Sequence, residues 1–226
     1  MSLHVAIDGP AASGKTTVAR ALARRLGTLY LDTGAMYRAL AWLALQAGCD
    51  PSSETALLAL AAREPIAMAP EPANGTGFRI MAGGREPGDA LYGTPVSAVV
   101  SAVSAHPAVR RAMVARQREI ADAGSVVMAG RDIGTVVLPD APYKFFLTAS
   151  IGERVARRAA ELAALGTAVD PFELRRELER RDRLDATRAV APLRAARDAV
   201  EIDSTGSSAE AVLERMLALV CKGLPA

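Results

Sequence analysis

Hydrophobic residues in this chain occur either in short continuous runs or at helical spacing, and the two patterns alternate. Residues 3–7 (LHVAI) form a nearly continuous apolar run, which is typical of a parallel strand covered on both faces. Val18, Leu22 and Leu26 then recur at i, i+4 and i+8, which predicts an amphipathic helix. The apolar run at 29–32 predicts a second strand. Connections this short between strand, helix and strand indicate a parallel α/β unit.

A second helix is expected after the second strand, capped by Thr33 and ending at Gly48. A Pro- and Gly-rich segment then interrupts the alternation of strands and helices. Residues 64–94 keep only two short apolar runs, at 66–68 and 78–82, between dense turn residues. Such runs predict a small antiparallel insertion on the rim of the main sheet.

Both patterns return after the insertion, with helical spacing from about Pro95. Strands are expected at 125–134, where the strand runs into a loop, at 143–149 and at 199–206, and helices at 153–165, 171–183 and 208–222. Together these elements predict an α/β fold of three layers. A parallel core sheet is flanked by helices, with a small β-rich insertion and a basic helical segment near 153–188.

The composition limits the classes of protein that fit this fold. The chain has 226 residues, half of them hydrophobic, which suits one domain with an inserted lobe or two small domains. A net charge of +2 provides no general field for nucleic acid, and no stretch approaches the roughly 18 apolar residues that span a membrane. Cys49 and Cys221 lack metal-ligand spacing and suit a reducing compartment. With no positively charged leader, we expect a cytoplasmic protein without nucleic-acid or membrane partners.

Residues 9–16 (GPAASGKT) match the pattern G-x-x-x-x-G-K-[ST] between a predicted buried strand and an amphipathic helix. The glycines allow backbone angles that aim N–H groups at an anion, and the helix N-terminus adds its positive dipole. Lys15 is expected to reach the β- and γ-phosphates of a nucleoside triphosphate, and Thr16 to ligate Mg²⁺. An ordinary Gly-rich turn is the alternative, but it leaves the coincidence of both glycines, Lys, Thr and the strand–helix frame unexplained. The predicted nucleotide-binding residues are Asp8, Gly9, Pro10, Ala11, Ala12, Ser13, Gly14, Lys15, Thr16 and Thr17.

Two further stretches place arginines where predicted strands end. LDTGAMYR puts Thr33 at a helix start and Arg38 one turn later, at the sheet edge where open α/β folds bind ligands. A capped helix with a solvated Arg fits this stretch equally well. GRDIGT places Arg131 and Asp132 in a loop, where a structural ion pair is the alternative.

A third stretch, RRDRLDATR, spaces Arg181, Asp185 and Arg188 at i, i+4 and i+7, so one helix face could carry all three. Taken alone, such a row favours a solvated, salt-bridged surface. Three arginine sites beside a triphosphate motif nevertheless indicate a second phosphorylated ligand, because the planar Arg fork bonds two phosphate oxygens at once.

The sequence shows no activated nucleophile, and its only histidines are His4 and His106. This fits transfer to a phosphate acceptor, which is an anion near pH 7, so that positioning and charge neutralisation suffice. A GTP-dependent switch is less consistent, because the Asn-Lys-x-Asp run is absent and the only Asn is Asn74. An ATP-driven motor usually needs a longer chain and a hydrophobic strand ending in Asp-Glu, which is also absent.

The chain resembles the bacterial cytidylate kinases from about Val5 to Lys222. The resemblance rests on IDGPAASGKTT, which many kinases share, and on the more specific YLDTGAMYRALA and GRDIGTVVLPDAPYKFFLTA, with SAVSAHPAVRRAMVARQR, RRDRLDATRAVAPL and IDSTG. It implies the P-loop kinase fold of the nucleoside monophosphate kinases in a single domain. Its parts are a core (1–63, 95–150 and 189–226), a monophosphate-binding insertion (about 64–94) and a helical lid (about 151–188).

The resemblance also implies roles for individual residues. Thr33 and Arg38, with Arg131 nearby, would hold the CMP phosphate; many family members have Ser in place of Thr33, which keeps the hydroxyl. Some members carry another Arg where this chain has Leu184, so no lid charge is expected there. The other implied roles are cytosine recognition by Ser101, Arg110, Asp132 and Arg188, ribose contact by Arg181 and Asp185, lid arginines at Arg154, Arg157 and Arg158, and catalytic cations at Lys15, Arg131 and Arg158.

The implied reaction is transfer of the γ-phosphoryl group of ATP to CMP or dCMP, in pyrimidine nucleotide metabolism. The alternative is the same chemistry on another monophosphate such as UMP or AMP. ATP and Mg²⁺ are the implied cofactors, the small-molecule acceptor is the expected partner, and a monomer is expected.

Overall fold

The computed structural model describes residues 2–70 and 78–222, which form a five-stranded parallel sheet between helices and a separate two-stranded antiparallel sheet. The strands are β1 (His4–Asp8), β2 (Leu29–Asp32), β3 (Ile66–Pro70), β4 (Phe78–Ala82), β5 (Val126–Gly130), β6 (Tyr143–Thr148) and β7 (Val200–Asp203). The helices are α1 (Lys15–Leu26), α2 (Thr33–Gln46), α3 (Glu54–Arg63), α4 (Thr94–Ala105), α5 (Pro107–Asp122), α6 (Ile151–Ala164), α7 (Pro171–Thr187) and α8 (Ala209–Lys222), with a 3₁₀ turn at Gly88–Tyr92 and a π-helical turn at Ile133–Val137.

The parallel sheet has the strand order β2-β5-β1-β6-β7, so the first strand of the chain lies at its centre. Asp8 at the end of β1 is opposite Gly130 of β5, and Asp32 at the end of β2 is opposite Ala129. The carboxyl ends of these three strands therefore meet at one edge of the sheet. From this edge start the phosphate-loop motif, helix α2 and the loop that contains Arg131.

Different helices cover the two faces of this sheet. On one face, Val5 packs with Leu22 of α1 and Met216 of α8. On the other face, Ala6 packs with Val114 of α5. The apolar run that predicted β1 is thus covered on both sides, and the three-layer α/β fold predicted from the sequence is confirmed.

The antiparallel pair forms from the two apolar runs predicted for the insertion. Strands β3 and β4 pair with Met68 opposite Ile80. Residues 71–77, which belong to the expected insertion, lie outside the described residues. Ile80 and Leu91 pack in one buried cluster with Met36 of α2, so this lobe contacts the helix that carries Arg38.

Two helix ends differ from expectation. The prediction that Thr33 caps α2 is wrong, because the helix starts at Thr33 and Asp32 is the capping residue. The Thr33 hydroxyl instead donates to the carbonyl of Ala129 at 2.9 Å and joins α2 to β5. Helix α7 ends at Thr187, so Arg188 follows the helix and does not share its last turn.

Candidate active site

A single cleft at the carboxyl edge of the sheet brings together most of the residues predicted from the sequence. It lies between the phosphate loop, α2, α4, the loop after β5, and the α6–α7 segment. The predicted residues that line it are Ala11, Ala12, Gly14, Lys15, Thr16, Thr17, Thr33, Arg38, Ser101, Arg110, Arg131, Asp132, Arg158, Arg181, Asp185 and Arg188.

The phosphate loop is held tightly against the neighbouring strand. Gly9 has a φ of 148°, and a Cβ there would lie 2.0 Å from the carbonyl oxygen of Leu147 in β6, so no other residue fits without moving backbone. The Lys15 ammonium is folded onto the loop, where it donates to the Pro10 carbonyl at 2.5 Å and the Ser13 hydroxyl at 3.2 Å. Burial, and then the charge of Arg131, lower the pKa of Lys15 well below its usual value. An anion at this loop would restore the favoured charge on Lys15.

Three arginines and two aspartates form a continuous buried ion-pair network on one side of the cleft. Arg110 of α5 donates to the carboxylate of Asp132. Arg188 lies 3.5 Å from Asp132 and 3.9 Å from Asp185. Arg131 donates from Nε to Asp185 at 2.9 Å. Each guanidinium therefore has a carboxylate partner, and the network links α5, the loop after β5 and the end of α7.

The carboxylate of Asp185 shows how strongly the network favours charge. Burial by itself would raise the pKa of Asp185, but Arg131, Arg181 and Arg188 outweigh burial and hold that pKa below its usual 3.8. Arg110 also lies over the ring of Tyr37, with its guanidinium carbon 5.3 Å from the ring centroid. The solvated surface that the RRDRLDATR spacing favoured is therefore not what forms, because Asp185 is buried in the cleft.

Two other arginines in the cleft have no carboxylate within 4.0 Å in the part of the chain that the structure describes. Arg38 donates to the carbonyl of Leu91 at 2.9 Å and to the hydroxyl of Ser97 at 3.1 Å, both neutral acceptors. Burial, followed by repulsion from Arg158, lowers the pKa of Arg38 to about 10. Burial, followed by repulsion from Arg38, lowers the pKa of Arg181 to about 9. Excess positive charge therefore concentrates beside the phosphate loop.

The three predicted lid arginines lie in different places. Arg158 lines the cleft and donates to the carbonyl of Tyr92 at 2.8 Å. Arg154 contacts the carbonyl of Ala11 at 3.3 Å and Asp182 at 2.6 Å, outside the cleft lining. Arg157 likewise lies outside it, and donates to the carbonyl of Ser13 at 3.3 Å and to Ser204. Arg154 and Arg157 thus join α6 to the phosphate loop through its backbone.

Asp8, predicted to bind nucleotide, does not line the cleft and instead holds the loop that carries Arg131. Its two carboxylate oxygens accept from the backbone N–H groups of Ile133 and Gly134, each at 2.8 Å. Burial, only partly offset by these hydrogen bonds, raises the pKa of Asp8 to about 6. Arg118 of α5 holds the other end of the same π-helical turn through the carbonyls of Val136 and Val137. Gly9, Pro10 and Ser13 also lie outside the cleft lining.

Several contributors were not predicted from the sequence. Asp32 and Tyr37 line the cleft, Ser97 accepts from both Arg38 and Arg158, and Arg118 fixes the π-helical turn. Asp32 and Tyr37 stand within LDTGAMYR, so the motif could have drawn attention to them. Ser97 and Arg118 depend on contacts between distant segments, and no local pattern marks them.

Comparison with known proteins agrees with this geometry. A model of the cytidylate kinase family matches residues 5–222. A cytidylate kinase of Geobacillus kaustophilus is 50% identical over 218 residues, which cover 96% of each chain. The chain belongs to the cytidylate kinase family.

A longer protein and a solved structure are also similar to this chain. A bifunctional pantoate ligase/cytidylate kinase of Prochlorococcus marinus is 47% identical over 216 residues, which cover 95% of this chain and 44% of the bifunctional protein. The crystal structure of an uncharacterized protein from Eubacterium ventriosum covers 98% of this chain with a TM-score of 0.54 at 13% identity, which is a likeness of fold alone.

Within the described ranges, 2–70 and 78–222, the chain shows neither a membrane-spanning helix nor a cluster of metal ligands. None of the helices in these ranges combines the length and apolarity needed to cross a bilayer. The same ranges contain no group of three or more His, Cys, Asp and Glu residues arranged to hold a metal ion.

Proposed function

We propose that this protein transfers the γ-phosphoryl group of ATP to CMP or dCMP, and releases ADP with CDP or dCDP. The observation that carries the proposal is that Arg38 and Arg181, beside Lys15, have no carboxylate within 4.0 Å among the described residues, and that burial lowers the pKa of each. Buried charge is costly unless compensated. A nucleoside monophosphate brings the anion that compensates it, and the phosphate loop brings the donor to the same cleft.

The ion-pair network suits recognition of cytosine. Cytosine offers an amino donor at N4 and acceptors at N3 and O2. The carboxylate of Asp132 can accept from the amino group, Arg110 can donate to the ring acceptors, and Ser101 lines the same part of the cleft. UMP has a carbonyl in place of the amino group, which the Asp132 carboxylate would repel, so CMP is favoured over UMP. Arg181 and Asp185 are left to contact the ribose.

The chemical step needs no strong base, because the attacking phosphate oxygen is already anionic near pH 7. Lys15, Arg131 and Arg158 would neutralise the charge on the transferred group and hold donor and acceptor in line. Arg38 would orient the acceptor phosphate, and Thr33 would do so when its hydroxyl proton turns from the Ala129 carbonyl to a phosphate oxygen. The protein thus contributes positioning and preformed positive charge.

The oxygen ligands available in the cleft fit a magnesium ion. The Thr16 hydroxyl and the Asp32 carboxylate both line it, and both are hard oxygen donors. A site with few protein ligands suits Mg²⁺, which takes its remaining ligands from nucleotide phosphates and water. When bound, the ion supplies positive charge to the triphosphate. Thr16 and Asp32 are the residues that would hold it.

The predicted division into core, insertion and lid is part of this proposal. The lobe with β3 and β4 contacts α2, which carries Arg38, and α6 carries Arg158 to the same cleft. Residues 64–94 would form the wall of the monophosphate site, and 151–188 would close over the phosphates. A monomeric, cytoplasmic enzyme remains a prediction.

An assay of ADP release tests the proposal directly. The full chain is supplied with ATP, Mg²⁺ and one of CMP, dCMP, UMP, AMP or GMP. We expect CMP and dCMP to give the largest kcat/KM. Preference for UMP or AMP by tenfold or more would contradict the assignment of cytosine to the Asp132 network.

A further inference from the structure

The hydroxyl of Ser97 joins two arginines that reach the cleft from opposite sides. Arg38 of α2 donates from Nη1 to Ser97 Oγ at 3.1 Å, and Arg158 of α6 donates from Nη2 to the same oxygen at 3.1 Å. Ser97 lies on α4 and is 4% exposed. A hydroxyl oxygen has two lone pairs, so these two guanidiniums use its full accepting capacity.

Backbone carbonyls of the same segment complete the arrangement. The carbonyl of Leu91 accepts from Arg38 at 2.9 Å, and that of Tyr92 accepts from Arg158 at 2.8 Å. The segment from Leu91 to Ser97 therefore provides four hydrogen bonds to two like-charged groups. The three acceptor atoms are neutral, so they hold the guanidiniums in place without cancelling their charge. The carboxylate of Glu161, 3.0 Å from Nη1 of Arg158, balances part of the charge of that arginine.

We propose that Ser97 is a positioning residue, whose hydroxyl holds Arg38 and Arg158 side by side as a preformed site for the phosphate of the acceptor nucleotide. The inference rests on the proposed function, which assigns Arg38 to the acceptor phosphate, and it adds to that site Arg158, the cation that would also neutralise the transferred group. Without the Ser97 oxygen, repulsion separates the two guanidiniums, and the phosphate must bring them together again on binding. Because Arg158 belongs to α6, the same oxygen also holds that helix against α4.

Binding of CMP, compared with binding of cytidine, distinguishes a positioning role of Ser97 from a general effect on the structure of the cleft. CMP and cytidine, which lacks the phosphate, are titrated into the full chain and into Ser97→Ala. We expect CMP affinity to fall about tenfold, as the loss of a hydrogen bond to charged groups implies, and cytidine affinity to change less than twofold. Equal losses for CMP and cytidine, or unchanged CMP affinity, would overturn the proposal.

Two further variants of helix α4 serve as controls. Ser97→Thr keeps the hydroxyl and should restore CMP affinity to within about threefold of wild type. If the added methyl group prevents Ser97→Thr from folding, the ratio of CMP to cytidine affinity in Ser97→Ala still decides the question. Thr94→Ala removes an exposed hydroxyl from α4, and should leave both affinities unchanged.

The outcome can be told apart from a failure of the proposed function. If the wild-type protein prefers another monophosphate, the same ratio is measured with that nucleotide and its nucleoside, and the expected result is the same. If it phosphorylates no monophosphate, the proposed function fails. Inorganic phosphate then replaces CMP, and Ser97→Ala must still bind it about tenfold more weakly for the inference to stand.

Discussion

Buried arginines occupy two different electrostatic settings within one cleft. Arg110 and Arg188 share Asp132, and Arg131 is bonded to Asp185, so this side carries its own counter-charge. Arg38, beside the phosphate loop, is held by neutral acceptors and has no carboxylate within 4.0 Å in the described ranges. Arginine is the cation on both sides of the cleft. Before a ligand binds, its charge is balanced by close carboxylates only on the side of Asp132 and Asp185.

The difference separates two tasks. A compensated network is rigid and presents fixed donors and acceptors, which suits a neutral base read by its edge. Arg38 and Arg181 have no close carboxylate, so their charges lower the stability of the free protein. A bound phosphate would restore that stability. Substitutions on the two sides should therefore differ in their effects on turnover and on KM, and should have opposite effects on the free energy of unfolding.

The largest effect is expected at Lys15, the cation of the phosphate loop, which is proposed to contact the donor phosphates. Lys15→Ala should lower kcat by about 10³-fold, because preformed charge on the transferred group is lost. Lys222→Ala, an exposed lysine in α8, is the matched control and should retain full activity. Initial rates of ADP release measure both, and a kcat within tenfold of wild type in Lys15→Ala would remove it from the chemistry.

Opposite changes in stability are expected next. Asp132→Asn removes the carboxylate that Arg110 contacts and one of the two near Arg188, and should lower the free energy of unfolding by about 3 kcal/mol. Arg181→Met removes a buried cation without a carboxylate partner in the described ranges, and should raise that free energy by about 1 kcal/mol while impairing turnover. Urea unfolding measures both changes. A shared sign would show that the two sides do not differ in charge compensation.

A substitution on the side of Asp132 should weaken binding of CMP and leave binding of ATP nearly unchanged. Arg110→Met should raise KM for CMP about 100-fold, because a charged donor to the base is lost, and change KM for ATP less than threefold. The neighbouring Arg111 is exposed, so Arg111→Met is the control. Steady-state kinetics with each substrate varied decide the point, and equal effects on both KM values would contradict it.

The smallest effect concerns the two carboxylates with opposite pKa shifts. The pKa of Asp8 is raised to about 6, so the folded protein takes up a proton at this carboxylate as the pH falls from 7 to 5. Over that interval the free energy of unfolding of wild type should rise by about 1 kcal/mol relative to that of Asp8→Asn. The pKa of Asp185 lies below 3.8, so the difference between wild type and Asp185→Asn should stay constant over that interval. Unfolding by urea at the two pH values measures both. A constant difference for Asp8→Asn would contradict the raised pKa.

The parts of the site that could be predicted from the sequence are those whose residues are close together in the chain. The phosphate loop lies in eight consecutive residues, so strand, turn and helix could be predicted with it. Ser101 and Arg110 needed the family resemblance, because nothing local distinguishes them from surface residues of a helix. Their placement in the cleft agrees with that expectation, and their roles remain proposals.

Other features could not be predicted, because they depend on which distant segments meet. The turn of Arg154 and Arg157 toward backbone carbonyls of the phosphate loop follows from the approach of α6 to residues 11–13. The two-arginine contact of Ser97 needs α2, α4 and α6 together. Asp8 is predicted by its place before the motif, but its hydrogen bonds to Ile133 and Gly134 arise only from the pairing of β1 with β5.

The most direct test of the central claim follows the phosphoryl group itself. The full chain is incubated with Mg²⁺, CMP and ATP labelled in its γ-phosphate, and the products are separated. We expect the label in CDP, in an amount equal to the ADP formed. Label recovered as inorganic phosphate, at a rate that does not depend on CMP, would contradict transfer and identify the protein as a hydrolase.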